Sequence, residues 1–318
     1  MTDSGAGVPH EHGDSGYGDS GYGDNAYDAI MSGDGDDGHW AFGTGFDDPL
    51  AGVPRAVPSE VDSADLVAYS LMLADDALIL AQRLTEWCSR APELEEDVAL
   101  ANIALDLLGQ ARLLLARAGE VEGAGRDEDA LAYLRDEHEF RNVRLVEIDC
   151  GPGPGGDFAT TIARLLVFSS WRLAVLSQLA ASVDPVLAAI AAKGVKELAY
   201  HRDHAAQWTL RLAGGTAYSR ERMIAGLEQV WPLVPELFVT HPVEERLPGI
   251  AVDPATVRSD VDDVLATVFA AAGLDRPAVA PMSLVAGRGG RDGAHTEALG
   301  YLLAQMQHLA RALPGAVW

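Results

Sequence analysis

The sequence predicts an all-α protein, a four-helix bundle with additional C-terminal helices. Three observations lead there. Four long stretches carry apolar residues at helical spacing, over about residues 63–90, 92–119, 157–181 and 184–212. Short breaks join the first to the second and the third to the fourth, so they pair as two hairpins, which is how bundles are built. Nowhere in these stretches do apolar and polar residues alternate with the period of a strand.

Residues 1–60 differ in kind from the rest. They are rich in Gly, Asp and Ser, contain the imperfect repeat GDSGYGDSGYGDN, and hold 12 acidic residues against Arg55 alone. Such a stretch buries too little apolar surface to offset chain entropy, so a disordered acidic extension is expected up to residue 60. Tyr17, Tyr22 and Tyr27 are read as solvated linker residues or stickers for a partner, and His10 and His12 as a weak metal lure. From residue 61 onward the composition is that of one globular helical domain, and 48% hydrophobic content overall supplies its core.

The net charge of −25 argues against nucleic acid and offers no basic patch to an anionic bilayer. No uninterrupted apolar run reaches the roughly 18–20 residues of a spanning helix, and no signal-like segment opens the chain. A cytoplasmic location is therefore expected. Cys88 and Cys150 lack CxxC spacing and are read as reduced and structural.

In chain order, Ser63-Ala64-Asp65 is a helix entry, followed by Leu66, Leu73, Leu80 and Leu84 on an apolar helix. Pro92 is expected in the first turn of the second helix and Gly119 at its end. Around DEHEFRN the pattern becomes charged, which implies short or interrupted helices before the loop CGPGPGGD. A third helix follows from Asp157, and Asp184-Pro185 opens a fourth that stops at Gly214-Gly215. Further helical stretches fall near 220–238, 254–272 and 294–313.

The second helix sets the functional question. Leu94, Val98, Leu105, Leu108 and Leu115 surround a polar stripe, Asn102, Asp106 and Gln110, at i, i+4, i+8. Polar groups buried on such a helix need partners, which a metal, a ligand or facing side chains can supply. A di-iron bundle takes a Glu from each of two helices and Glu-x-x-His from the other two. That motif is absent from the second and fourth helices. Glu197 stands four residues before His201, and His201 and His204 form a bare HxxH pair.

Several longer strings carry a resemblance. DDALILAQRLTEWC, APELEEDVALANIALDLLGQAR, YLRDEHEFRN, TTIARLL, KELAYHRDH, GIAVDP, GAHTEALGYLLAQMQHLARALPG and the terminal Trp318 resemble the C subunits of the phenylacetyl-CoA epoxidases, or ring-1,2-phenylacetyl-CoA oxygenases. The likeness runs from about Ser63 to Trp318. It implies a ferritin-like bundle and a structural, non-catalytic subunit of a monooxygenase complex in phenylacetate catabolism. It further implies a direct partner, the catalytic A subunit with its di-iron centre, and a reductase subunit with flavin and iron–sulfur groups that takes electrons from NADPH.

Departures from the catalytic pattern fit that role. In the A subunit the second helix carries Asp-Glu-x-Gly-His, where this chain has Asp106-Leu107-Leu108-Gly109-Gln110. In the fourth helix the pattern resembles Lys-Glu-Glu-x-x-His, and in Lys196-Glu197-Leu198-Ala199-Tyr200-His201 leucine replaces the second glutamate, so that of the motif's ligands only His201 survives. Leucine cannot coordinate iron, so no metal is expected on this chain. Asp76, Asn102, Asp106, Gln110, Lys193, Glu197 and His201 are instead expected to form a polar network in a vestigial site, or in part to point to solvent. The resemblance places Glu139, Phe140, Arg141 and Asn142 near the acyl-CoA, with Val243 to Leu247 as a further contributor. The string Gly287-Arg288-Gly289-Gly290-Arg291-Asp292-Gly293 is read as a phosphate loop or an ordered docking turn, and Trp87, Trp171, Trp208 and Trp231 as packing residues. Two other readings stay open. One is a di-metal oxidase or ferroxidase using Asp76, Asp106, Glu197, His201 and His204; the other is a free-standing acyl-CoA-binding protein.

Overall fold

Apolar helical periodicity becomes two hairpins packed side by side. The computed structural model describes residues 50–58, 61–153, 156–285, 287–314 and 316. Helix α1 spans Ser63–Thr85 and α2 spans Leu94–Glu122, the two forming the first hairpin. The short helices α3, Glu128–Tyr133, and α4, Arg144–Glu147, follow with a 3-10 turn between them. Helices α5, Phe158–Leu179, and α6, Pro185–Gly214, form the second hairpin, and α2 lies against α6. Helix α7, Ala217–Val230, and the later α9, Arg258–Ala272, pack on α5 and α6, with α8, Pro242–Glu245, between them in sequence. Helices α10, Glu297–Met306, and α11, His308–Ala312, finish the described chain. Among the described residues the only β pairing is an isolated bridge between Val285 and Arg288.

Caps explain the boundaries. Asp62, one residue before the expected entry, accepts the Ala64 amide and opens α1. Pro92 lies just outside α2, whose N-cap is Glu93. Gly119 does not end α2 either. It lies in the last turn because a Cβ there would collide with the Arg126 carbonyl, and the stop comes at Gly123 with φ +67°. Asp184 caps α6 through the amides of Val186 and Leu187 and receives Arg117 Nη2 at 2.6 Å, both side chains being fully buried.

The same Arg117 donates to the Arg55 carbonyl at 2.7 Å, and Leu50 is buried. The packed domain thus reaches back to residue 50, ten residues before the expected boundary. Tyr17, Tyr22, Tyr27, His10, His12 and Trp318 lie outside the described residues.

By length and composition α2 and α5 could each cross a bilayer, although neither is an unbroken apolar run. Helix α5 is a core helix with Arg164 and Arg172 buried in it. Helix α2 is different. Leu115 is buried, but Leu94, Val98 and Leu105, expected as core neighbours, face outward.

Candidate functional site

The polar stripe of α2 meets α6 in antiparallel register. Near one end Gln110 Nε2 donates to Glu197 Oε2 at 2.9 Å, while Lys193 Nζ lies 3.0 Å from Glu197 Oε1. One turn further along, His201 Nε2 donates to Asp106 Oδ2 at 3.0 Å. Beyond that, Glu96 accepts from His204 Nε2 at 2.9 Å and from the Trp208 indole. The i, i+4 spacings on both helices let these rungs stack. Gly194 faces this seam, where a Cβ would stand 2.7 Å from Leu176 Cδ1 of α5 and 3.3 Å from the Gln110 amide carbon. A mid-helix glycine costs about 1 kcal/mol relative to alanine, and here it allows close approach of α6 to α5 and α2.

Five of the seven expected network residues therefore meet: Asp106, Gln110, Lys193, Glu197 and His201. Asn102 does not, because its position on α2 is exposed. Asp76 is fully buried elsewhere, bound to Arg291. Glu96 and Trp208 complete the α2–α6 seam, and the sequence reading does not place them there. The legible signal is the HxxH pair, whose second histidine needs an acceptor.

The arrangement does not suit a di-iron centre. Leu107 and Leu198, at the positions where the catalytic pattern has glutamates, are fully buried among apolar neighbours. Asp106 and Glu197 are held by His201, Gln110 and Lys193. Two buried acceptors, Gln110 Oε1 and His201 Nδ1, lack a protein partner, yet two neutral donors are too few for two irons. Among the described residues no three His, Cys, Asp or Glu side chains are grouped to hold a metal. Asp76, Asp106, Glu197, His201 and His204 are distributed over four separate contacts rather than gathered at one point.

Comparison with known proteins follows this geometry. A family model described as "Phenylacetic acid catabolic protein" matches residues 51–318. The chain belongs to that family. It is 46% identical over 256 residues to the C subunit of the 1,2-phenylacetyl-CoA epoxidase of Escherichia coli (strain K12), covering 80% of this chain and 99% of that relative. The resemblance read from the motifs is thus shown, and the family match begins one residue after the buried Leu50.

A second polar cluster in this family member lies under α1. Adjacent Asp75 and Asp76 point in different directions. Asp75 accepts Arg135 and the Arg141 amide, while Asp76 accepts the Val143 amide at 2.9 Å and both Arg291 nitrogens, at 3.0 and 2.8 Å. Arg172 of α5 approaches Asp76 at 3.6 Å, and burial pushes its pKa down to about 10 against the pull of Asp76. Glu147 binds Asn142, His295 Nδ1 and the Thr296 amide. His295 Nε2 also faces the Phe140 carbonyl at 3.0 Å, so both ring nitrogens meet obligate acceptors. Burial alone disfavours a charged ring, but Glu147 outweighs it and holds the pKa above its ordinary value.

This clamp corrects the expected acyl-CoA contacts. Phe140 and Asn142 have no exposed surface; the ring lies 4.2 Å under the Arg135 guanidinium and the Asn142 amide is bound to Glu147. Glu139 caps the turn before it by accepting the Asp136 amide. Arg141 is half-buried, and its guanidinium makes no hydrogen bond or ion pair among the described residues. Arg291 and Gly290 show the glycine-rich string to be the docking turn: Gly290 donates to Glu236 Oε1 at 2.9 Å, and Arg291 fixes the turn to α1. Val243 and Leu247 are buried in the core.

Proposed function

We propose that this chain is a structural, non-catalytic subunit of a multicomponent phenylacetyl-CoA 1,2-epoxidase. The observation that carries the reading is the pair of fully buried leucines, Leu107 and Leu198, where the catalytic pattern has glutamates. Around them the remaining polar side chains bind one another. The 46% identity to an epoxidase C subunit supports the complex in which the chain acts. In it the A subunit supplies the di-iron centre and molecular oxygen is the oxidant. Electrons come from NADPH through the flavin and iron–sulfur groups of a reductase. This chain braces the A subunit and helps form the acyl-CoA entrance in aerobic phenylacetate breakdown, in the cytoplasm.

At that entrance Arg141 is the residue left for a phosphate of coenzyme A, since Phe140 and Asn142 are enclosed. The experiment is turnover of phenylacetyl-CoA by the A subunit and reductase, with and without this chain. Activity that depends on the chain is expected. Full turnover in its absence would contradict the bracing role, and tight binding of phenylacetyl-CoA by the chain alone would favour a free-standing acyl-CoA-binding protein.

A further inference from the structure

The His295 ring is enclosed between two groups that can only accept. Its side chain and that of Glu147 have no exposed surface. Nδ1 lies 2.8 Å from Glu147 Oε2 and Nε2 lies 3.0 Å from the Phe140 carbonyl. The Glu147 carboxylate also accepts from the Asn142 amide and the Thr296 backbone, so both of its oxygens are occupied. A ring with a proton on each nitrogen satisfies both neighbours. A neutral ring has a single donor, and its lone pair would then face an acceptor with no water to relieve it.

Charged groups on several elements set the balance. Burial is the largest influence and disfavours the charged ring, but the hydrogen bond and charge of Glu147 on α4, the Phe140 carbonyl and Glu137 of the 3-10 turn together outweigh it. Arg83 of α1 brings a positive charge to the same place, donating to the Glu147 carbonyl at 3.0 Å and to the Ala298 carbonyl at 2.9 Å. Arg141 and the His138 carbonyl border Gly293, two residues before the ring. The remaining charges nearby are engaged elsewhere: Arg144 by Glu236, Arg291 by Asp76, Asp292 by the Gly289 amide and His241, and Glu297 by Tyr301.

The ring stands where it can hold a helix. His295 and Thr296 lead directly into α10, whose Leu299, Leu302 and Leu303 are buried. That helix packs on α4 and the 3-10 turn, the two elements flanking the stretch that the ring joins. We propose that His295 is a pH-sensitive latch: the doubly protonated ring pins the start of α10 to Glu147 and Phe140, and loss of one ring proton releases that end of the helix. Because the folded ring keeps its proton above the ordinary value of 6.5, the hold is complete below about pH 6.5 and is lost as pH rises through the higher folded value. Arg83 keeps its charge throughout, so its two carbonyl contacts persist and the opening stays local. The latch does not depend on the epoxidase reading.

The test follows hydrogen exchange of the full chain from about pH 6 to about pH 9, expressed as protection factors so that the intrinsic exchange rate cancels. Protection in residues 294–303 should fall about tenfold over that range in the unsubstituted chain. In His295→Gln it should be lower already at the acidic end and change by less than about twofold, because an amide donates at one end only and does not titrate. Two controls should keep the full response: His308→Gln, at an exposed histidine of α11, and Glu244→Gln, which removes a carboxyl that titrates in the same range. Should His295→Gln misfold, nitrogen NMR of the unsubstituted ring decides: protons on both nitrogens at pH 6.5 are expected. A ring that is mostly neutral there would overturn the latch. An equal pH response in folded His295→Gln, a response abolished by Glu244→Gln, or none in the unsubstituted chain would overturn it as well.

Discussion

Leu107 and Leu198 illustrate how single residues set what a bundle can do. Each is fully buried and offers no ligand atom, and the neighbouring Asp106 and Glu197 bind side chains. Contributions within the seam are unequal. Lys193 is about one-third exposed, so Lys193→Met should cost no more than about 0.5 kcal/mol in urea unfolding. Arg291 is different because it holds a fully buried aspartate. Arg291→Met leaves Asp76 with the Val143 amide and the longer Arg172 contact, and a loss of about 3 kcal/mol is expected by the same assay. Glu244 gives a pH signature: burial pushes its carboxyl from 4.5 up to about 7, although Arg291 and the His241 amide oppose the shift. A raised folded-state pKa means that its contribution is complete below about pH 4.5 and is lost as pH rises through about 7. Melting temperatures of Glu244→Gln should accordingly fall less than those of the unsubstituted chain across that window.

At the scale of elements, helix type and order were legible because α1, α2, α5 and α6 repeat apolar residues with the helical period and are separated by Pro, Gly and capping Asp. The pairing of Asp106 with His201 was also within reach, since two i, i+4 stripes on facing helices must meet in some register. What stayed hidden depended on direction. Periodicity shows that α2 is apolar, but it cannot say whether Leu105 faces the core or the outside. Asn102 was placed in the network for the same reason, although its side of the helix is exposed. The clamp under α1 was hidden because its members are far apart in sequence. Asp76 and Arg291 are joined across 215 positions and Glu147 and His295 across 148. A visible hint was the acidic pair Asp75-Asp76 inside an otherwise apolar helix. The docking turn can be tested as an element: a Cβ at Gly290 would collide with the Asn142 carbonyl. Gly290→Ala should therefore lower stability by about 1–3 kcal/mol and speed hydrogen exchange in residues 288–296.

At the scale of the whole molecule, the helical fold and the family match make the chain a member of the phenylacetic acid catabolic proteins, and the structural role is our proposal for it. Where α2 meets α6 its bundle holds buried leucines and side chains that hydrogen-bond one another. The most direct measurement is iron and manganese content, taken on the purified chain alone and after co-expression with the A subunit. Metal near zero in the isolated chain, and about two irons per A subunit in the complex, are predicted. Stoichiometric metal in the isolated chain would contradict the vestigial-site reading and return Asp106, Glu197 and His201 to the role of ligands.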